Sequence, residues 1–300
     1  MNVESILRHT LRALGQRFPQ LRRYSGKLGL GRLVTSGSTR EQIQVDGDVV
    51  IELDLSVPIF RYLYFHHDLS SALETILIRR LLTPNDTFVD VGAHIGYFTL
   101  VAAKYTRHVF AFEPNPSTYA YLQRNIQLNP ALASRVTSYP IALFDHVGSA
   151  SLFKSPEQPD MASLQPIESA HTVVETVTLD TLDHVLSAHN ISFLKIDVEG
   201  GELDVLNGAR ETVGRDRPFV LCELLEPFQQ RFGHTCQDIV NFFHEYGYKA
   251  YHVQGDTSRR DRVVVKPLEL AELSITEANS ALFVPSVRIS QIKMLLSGQP

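Results

Sequence analysis

The sequence predicts an α/β fold: a mostly parallel, Rossmann-type sheet with helices on both faces, behind a small N-terminal prelude of helix and β-structure. The first observation is an apolar, β-rich run over 88–91 that passes directly into a glycine turn and then into a helix-periodic stretch. Strand, glycine loop and helix in this order typically open a nucleotide-binding sheet. The second observation is another apolar run, 109–112, which is followed by the acidic residue Glu113. The third is that strand and helix patterns keep alternating along the chain, which favours a parallel sheet.

Composition is that of an ordinary globular protein. The 300 residues suit one large α/β domain or a domain with a smaller appendage, and 44% of them are hydrophobic while 20% are charged. The formal net charge of -5 argues against a nucleic-acid partner that is bound by phosphate neutralisation.

Three features set expectations about location. The two cysteines, Cys222 and Cys236, are too few for a disulfide framework, which indicates a reducing, cytoplasmic compartment. No apolar run approaches the roughly 20 residues of a transmembrane helix. A signal peptide is not expected, because charges interrupt the apolar positions near the N-terminus.

The prelude is predicted over 1–70 and the main domain over 71–300. Residues 1–27 have a basic, helical pattern, which suits either a helix that docks on the domain or an amphipathic segment that contacts an anionic membrane surface or a partner. A glycine-rich linker follows over 28–37. Alternating apolar residues over 42–53, with Asp46-Gly47 between them, then predict a β-hairpin.

The main domain is predicted as alternating elements in chain order. Apolar spacing, glycines and prolines define the boundaries. Helices are expected over 70–82, 95–101, 117–128, 181–189, 203–209 and 236–246; strands over 88–91, 109–112, 136–143, 173–179, 191–198 and 218–224; a hairpin over 145–153; an exposed loop over 154–172; and a terminal strand pair formed by 248–253 and 281–284, separated by a polar excursion.

The glycine loop has the spacing Asp-x-Gly-x-x-x-Gly, with Asp90, Gly92 and Gly96. Gly92 permits a tight turn and Gly96 permits a close approach of helix, strand and ligand. This is neither the Gly-x-Gly-x-x-Gly cradle of dinucleotide enzymes nor a P-loop. A loop with few glycines and a carboxylate at its mouth suits a ligand without phosphates there. S-adenosylmethionine, which carries an ammonium and a sulfonium, is such a ligand.

Glu113 closes the second strand, where an adenosine ribose places its two hydroxyls in a doubly wound sheet. An ionised carboxylate can accept hydrogen bonds from both of them. NAD enzymes use the same arrangement, so Glu113 by itself does not separate the two cofactors.

Acidic residues collect at the predicted carboxyl ends of the strands, which is the edge of an open α/β sheet where ligands bind. An acidic edge suits a cationic cofactor, a metal, or a hydroxyl that must lose a proton. The residues concerned are Asp90, Glu113, Asp197, Glu199, Glu202 and Glu223.

Six short motifs together resemble the FkbM family of S-adenosylmethionine-dependent methyltransferases. The resemblance covers roughly 74–226 and a strand near the C-terminus, and the stretch from Leu194 to Glu202 is its most specific part. The family commonly has Asn at the loop position that His94 occupies here. The motifs are Asp90 to Gly96, Phe112-Glu113-Pro114, Leu179-Asp180, Leu194 to Glu202, Val205 to Ala209 and Leu282 to Pro285.

The resemblance implies a class I methyltransferase-like fold and O-methylation of a hydroxyl on a sugar or glycan, a glycolipid or a secondary metabolite. It also implies that Asp197, Glu199 and Glu202 face the reaction centre. The cofactor-binding residues that it implies are Asp90, Gly92, Ala93, His94, Gly96, Tyr97, Glu113, Pro114, Asn115, Ala142 and Asp197.

Methyl transfer to a hydroxyl needs alignment and help with the proton. A positioned general base contributes roughly 10²–10⁴-fold to the rate. Asp197, at the end of the central strand, is the first candidate for a catalytic base and Glu199 is the second. A hard cation such as Mg²⁺, held by Asp197 with Glu199 or Glu223, is an open alternative.

Two other protein classes stay open at this point. An NAD-dependent oxidoreductase would use Glu113 in the same way, although the glycine spacing argues against it. A non-catalytic binding protein with a cofactor fold is the other, although the set of Asp90, Glu113 and Asp197 argues against it. Taken singly, Asp90 is equally consistent with an acid at a helix N-terminus, and Glu199 and Glu202 are consistent with helix caps.

Overall fold

A computed structural model gives the structure of the chain. It describes residues 40–57, 60–61, 63–64, 73–155, 158–167, 171–255, 263–272 and 279–296. The predictions for the basic segment 1–27, for the linker 28–37 and for most of the polar excursion lie outside these residues. The chain divides into two compact units, Met1–Ala72 and Leu73–Pro300, which we describe separately.

The first unit contains the predicted hairpin. Strands β1 (Arg40–Val45) and β2 (Val49–Asp54) pair antiparallel, with Val45 opposite Val49. The turn between them has positive φ at Asp46 (47°) and Gly47 (88°). Three residues, 46–48, connect the paired Val45 and Val49, and Asp and Gly are residues that tolerate positive φ.

The second unit is built on an eight-stranded sheet beside a smaller four-stranded sheet. In chain order its strands are β3 (Thr87–Val91), β4 (His108–Phe112), β5 (Val136–Tyr139), β6 (Ala142–Leu143), β7 (Gly148–Ser155), β8 (Gln158–Ser163), β9 (Val173–Asp180), β10 (Phe193–Ile196), β11 (Phe219–Leu224), β12 (Tyr248–Gly255), β13 (Val263–Pro267) and β14 (Asn279–Pro285).

The helices connect these strands. In chain order they are α1 (Leu73–Leu81), α2 (Tyr97–Tyr105), α3 (Pro116–Gln127), α4 (Pro130–Ala133), α5 (Leu182–Val185), α6 (Glu202–Asn207), α7 (Arg210–Asp216), α8 (Glu226–Arg231), α9 (Cys236–Glu245) and α10 (Lys293–Leu296), with 3₁₀ turns at Leu270–Glu272 and Ser286–Ile292. Within the described ranges, no helix combines the length and apolar character that a membrane span requires.

The strand order of the large sheet is β13-β12-β14-β11-β10-β3-β4-β5. The five strands from β11 to β5 run parallel to one another, and the other three pair antiparallel. From β3 the chain moves outward to β4 and β5, and from β10 it moves in the opposite direction to β11. Because parallel crossovers are right-handed, the connecting helices lie on opposite faces, which is the predicted fold class.

The central strands are buried on both faces, so their sequences are nearly continuous apolar runs. Alternate residues such as Val91, Ile196 and Cys222 pack with α6 and α9 in one large core. The other face carries Phe193, which contacts the rings of Phe88 and Phe219 at centroid distances of 5.3 and 6.3 Å.

The predicted strand over 136–143 is wrong as a single element. It divides into β5, in the large sheet, and β6, in the small sheet, whose order is β6-β9-β7-β8. Pro140 lies at the break, and a proline has no backbone N–H to continue a ladder of hydrogen bonds.

The predicted hairpin over 145–153 is also wrong. β7 is a single strand that pairs antiparallel with β9, with Gly148 opposite Leu179, and with β8 on its other side. The predicted exposed loop over 154–172 therefore contains a strand. β8 carries Pro159 but lies at the edge of its sheet, where a proline is tolerated.

Several shorter elements depart from the expectations. The predicted helix over 181–189 is reduced to the four residues of α5, while α7, α8 and β13 have no predicted counterpart. These helices span only four to seven residues each, which is too short for the 3.6-residue period to be recognised.

We predict that Phe193→Ala lowers the free energy of unfolding by about 3–5 kcal/mol, because it removes a fully buried ring that packs against two others. The matched control is Val287→Ala, which shortens a side chain that is 83% exposed and should change stability by less than about 0.5 kcal/mol. Urea unfolding followed by circular dichroism measures both. Equal effects of the two variants would contradict the core position of Phe193.

Candidate active site

The carboxyl ends of the parallel strands meet at one edge of the large sheet. Ile196, the last residue of β10, lies opposite Val91 on one side and Cys222 on the other. Asp197, the next residue, therefore lies level with Gly92 and with Glu223. β14 is antiparallel and begins at this edge, with Ser280 opposite Glu223.

Gly92 allows the ends of β3 and β10 to come together. Its φ is +78°, and a Cβ at this position would lie 1.9 Å from the carbonyl oxygen of Asp197. The backbone N–H groups of Gly92 and Ala93 both donate to the carbonyl of Phe112, at 3.0 and 2.9 Å. The loop is thus held against β4 by its backbone, and any side chain at residue 92 would separate the strands.

Glu113 joins two loops. Its Oε2 accepts a hydrogen bond from the backbone N–H of His94 and its Oε1 from that of Asn115, both at 2.9 Å. His94 has a φ of 53° at this point. Burial raises the pKa of Glu113 to about 7, although the two hydrogen bonds oppose this rise. The sequence did not reveal this connection, because it is made to backbone groups rather than to side chains.

Asp90 lies under the glycine loop and is only 1% exposed. The hydroxyl of Thr99 donates to its Oδ2 at 2.6 Å, while no described residue donates to its Oδ1, which is buried. Burial raises the pKa of Asp90, and the charge of Lys195 opposes that rise. Buried polar atoms are nearly always hydrogen-bonded, so Oδ1 is suited to a donor that a ligand supplies.

Lys195 and Asp197 form an ion pair on the same face of β10 as Asp90 on β3. Lys195 Nζ donates to Asp197 Oδ2 at 2.9 Å and lies 4.8 Å from the centroid of the Phe98 ring. The Lys195 side chain is 5% exposed and that of Asp197 is 37% exposed. Burial lowers the pKa of Lys195, but the charges of Asp197 and Asp90 outweigh it and raise the pKa above its ordinary value.

The resemblance implied that Glu202 faces the reaction centre, but in the structure its side chain is enclosed and does not face the open edge. It is 1% exposed, and its Oε1 accepts from the backbone N–H groups of Val198 (3.0 Å) and Gly200 (3.3 Å). The amide of Gln229 donates to its other oxygen. Glu202 therefore fixes the loop after β10. Its neighbour Glu199 has a φ of 62°, and its carbonyl accepts from Arg231 Nη2 at 3.3 Å.

The remaining residues implied by the resemblance differ in position. The Tyr97 hydroxyl forms a hydrogen bond with Thr75 Oγ1 of α1 at 3.2 Å, so its side chain takes part in helix packing. The Asn115 side chain caps α3 by accepting from the backbone N–H of Ser117 at 3.2 Å. Ala142 is buried in β6, within the small sheet. Seven residues gather around the loop after β3: Asp90, Gly92, Ala93, His94, Gly96, Glu113 and Asp197.

A cavity of about 220 Å³ opens beside the ion pair. Sequence reasoning did not include Glu74 and Ser280 among the site residues. They come from α1 and β14, and nothing in the local sequence indicates that β14 is inserted beside β11. The polar and aromatic residues that line the cavity are Glu74, Phe98, Lys195, Asp197, Glu223 and Ser280.

The acidic edge does not form a set of metal ligands. In the part of the chain that the structure describes, no group of three or more His, Cys, Asp or Glu side chains is arranged to hold an ion. The Mg²⁺ alternative, with Asp197 and Glu199 or Glu223, thus has no assembled set of ligands in that part.

We predict that Gly92→Ala lowers stability by about 2–5 kcal/mol, because it adds a steric clash to the strain of a positive φ. Gly233→Ala is the matched control, since Gly233 has a φ of +79° and an added Cβ would meet nothing within 4 Å, so strain alone should cost about 1–2 kcal/mol. Thermal and urea unfolding compare the two variants. A cost at Gly92 no larger than at Gly233 would contradict the close approach of β3 and β10.

Comparison with known proteins gives a family. The sequence model of the Methyltransferase FkbM domain matches residues 90–250. The chain is 31% identical over 149 residues to Methyltransferase 1 of Beauveria bassiana, covering 42% of this chain and 59% of that protein. It is 30% identical over 154 residues to the hexuronic acid methyltransferase AglP of Haloferax volcanii, covering 50% of this chain and 62% of that protein. The chain thus spans about 60% of the length of these curated relatives.

A shorter match bears on the expected partners. The chain is 51% identical over 47 residues to a tRNA(Phe) (4-demethylwyosine(37)-C(7)) aminocarboxypropyltransferase of Methanocaldococcus jannaschii, covering 15% of this chain and 19% of that protein. The net charge led us to expect no nucleic-acid partner, and this expectation is therefore not supported.

The site and the family match cover the same stretch of chain. The match begins at Asp90, under the glycine loop, and includes Glu113, Asp197 and Glu223. It covers more than half of the 300 residues. The chain therefore belongs to the FkbM methyltransferase domain family.

Proposed function

We propose that the chain is an S-adenosylmethionine-dependent O-methyltransferase that acts on a hydroxyl of a sugar or glycan, a glycolipid or a secondary metabolite. The observation that carries the proposal is the unsatisfied hydrogen-bonding capacity of Asp90 Oδ1. This buried carboxylate oxygen has no hydrogen-bond partner among the described residues and lies beside a turn that requires glycine. An ammonium group, such as that at the methionine end of the cofactor, supplies the missing donor.

The residues at this edge fit the two ends of the cofactor. Asp90 would hold the ammonium, and Glu113, when ionised, would accept from the ribose hydroxyls. The backbone of the loop from Gly92 to Gly96 allows the ligand to approach closely. Bound S-adenosylmethionine supplies an electrophilic methyl group on a sulfonium.

Asp197 is the proposed contact to the acceptor. Its Oδ2 is fixed by Lys195, while no described residue bonds its Oδ1, which can accept a hydrogen bond from a hydroxyl of the acceptor and so position it. Alignment of this kind is a large part of such catalysis, because effective molarities of well-held groups reach about 10⁵–10⁸ M. Glu199 is retained as a second residue near the reaction centre.

The acceptor class rests on the relatives. The name of the AglP relative describes methylation of hexuronic acid, which supports a glycan hydroxyl. An NAD-dependent oxidoreductase is the rival from a different class, and a dinucleotide titration separates it directly.

We predict that calorimetric titration of the wild-type chain detects binding of S-adenosylmethionine and of S-adenosylhomocysteine, and none of NAD. Glu113→Gln should weaken binding roughly 10- to 100-fold, because hydrogen bonds to a charged group contribute about 1.5–3 kcal/mol. Glu245→Gln, which alters a glutamate side chain that is 67% exposed, is the control and should bind as the wild type does. Binding of NAD instead would refute the proposed function.

Binding should also depend on pH. The pKa of Glu113 is about 7 in the chain alone, and hydroxyl donors favour the ionised carboxylate. Below about pH 7 the cofactor must displace a proton, so its affinity should rise with pH and level off above the pKa. Calorimetry in buffers of different ionisation enthalpy measures the released proton. An affinity that falls as pH rises from 6 to about 7 would contradict this role of Glu113.

A further inference from the structure

We propose that the cavity beside Lys195 and Asp197 is the acceptor subsite and that Glu223 is a catalytic residue that takes the proton of the acceptor hydroxyl. This inference rests on the proposed function, to which it adds the residue that accepts the proton and the cavity that holds the acceptor. The cavity measures about 220 Å³. Pockets for drug-sized ligands measure about 300–1,000 Å³, so this one suits a single sugar ring or a similarly small polyol.

The sheet register places Glu223 beside the proposed reaction centre. Ile196 lies opposite Cys222, so Asp197 and Glu223 follow at the same level on neighbouring strands. Side chains two residues apart on a strand share a face, and both carboxylates line the cavity with Lys195. An acceptor in the cavity therefore has a carboxylate on each of two strands.

The carboxylates around the cavity differ in the hydrogen bonds that they already accept from the protein. Asp197 accepts from Lys195, and Glu74 accepts from the Ser280 hydroxyl. No described residue donates a hydrogen bond to the Glu223 carboxylate, which is half-buried. Asp197 and Glu74 each have one oxygen engaged in this way, whereas both oxygens of Glu223 are left for a ligand among the described residues.

The surroundings of Glu223 also suit a base for a weakly acidic hydroxyl. Burial and the charges of Asp197, Glu199 and Glu202 raise the pKa of Glu223 to about 9, and Lys195 opposes this rise. Glu74 faces the same cavity from α1, and Ser280 faces it from β14 without a charge. A base with a high proton affinity takes a proton from a hydroxyl more readily than an ordinary carboxylate does.

The proposed step balances. The hydroxyl oxygen forms a bond to the methyl carbon, the carbon–sulfur bond breaks with its electron pair left on sulfur, and the hydroxyl proton passes to Glu223. The positive sulfonium and the negative carboxylate are neutralised together. Asp197 keeps its ion pair with Lys195 throughout and positions the acceptor.

The first test needs neither cofactor nor acceptor. Carboxyl ¹³C NMR of the full chain, labelled in glutamate, should find one carboxyl that titrates near pH 9 in the wild type. It should be missing from Glu223→Gln and present in Glu245→Gln, whose exposed side chain does not line the cavity. If no such resonance disappears in Glu223→Gln, the proposal is overturned.

The second test measures transfer from radiolabelled S-adenosylmethionine to glycerol at molar concentration, a polyol small enough for the cavity. The wild-type rate should rise about tenfold per pH unit up to about pH 9 and then level off. Glu223→Gln should reduce the rate roughly 10²–10⁴-fold and remove this rise. Glu223→Asp should restore the rise at a lower rate, and neither variant should change the calorimetric affinity for S-adenosylmethionine.

The outcomes separate this inference from the function on which it rests. A Glu223→Gln variant that keeps the wild-type pH profile overturns the role of Glu223. Wild-type protein that binds S-adenosylmethionine but transfers no methyl group to glycerol overturns the assignment of the cavity. Wild-type protein that does not bind S-adenosylmethionine refutes the proposed function instead.

Discussion

The site depends on one buried cation. Lys195 on β10 lies opposite Asp90 on the neighbouring strand β3, and it forms an ion pair with Asp197 two residues further along the chain. Burying a charge is costly unless it is paired, and a single ammonium here serves two carboxylates. Lys195 therefore allows acidic groups to exist at the centre of an otherwise apolar sheet, and it fixes Asp197 at the edge where the strands end.

Backbone contacts shape the loops around this cation. Glu113 accepts from the N–H groups of two different loops, and Glu202 accepts from two N–H groups of the loop after β10. Both acids accept hydrogen bonds from backbone N–H groups, but their roles differ. Glu202 is enclosed and also bonded by Gln229, so its role is structural. Glu113 ends a strand at the ligand edge, where a carboxylate that organises the loops can also accept from a ligand.

The fold around the site could be predicted from the sequence because its signals are local. An apolar run followed by Gly92 indicates the end of β3, and Asp46-Gly47 indicates the hairpin. The small sheet could not be predicted in the same way. Pro159 in β8 suggests a loop, and only the position of β8 at a sheet edge makes the proline acceptable there.

The site could be predicted only in part, for a related reason. Acidic residues at strand ends are visible in the sequence, but the direction in which each carboxylate points is not. Glu199, Glu202 and Glu223 all lie at predicted strand ends in the sequence, and only the structure distinguishes the enclosed Glu202 from Glu223, which lines the cavity. Ser280 reaches Glu223 through a strand that starts 55 residues after β11 ends, so no local pattern connects them.

The difference between Asp197 and Glu223 follows from where the cation lies. Both carboxylates stand at the same level on adjacent strands and line one cavity. Lys195 lies on the strand that ends just before Asp197, and it donates a hydrogen bond to Asp197. Its effect on Glu223 is electrostatic, without a hydrogen bond. One acid is thus held as a fixed hydrogen-bond acceptor, while the other is left with a high affinity for protons. Two titratable groups whose surroundings push their properties apart are the usual basis for dividing acid–base roles. In this site the division comes from the two-residue period of a single β-strand.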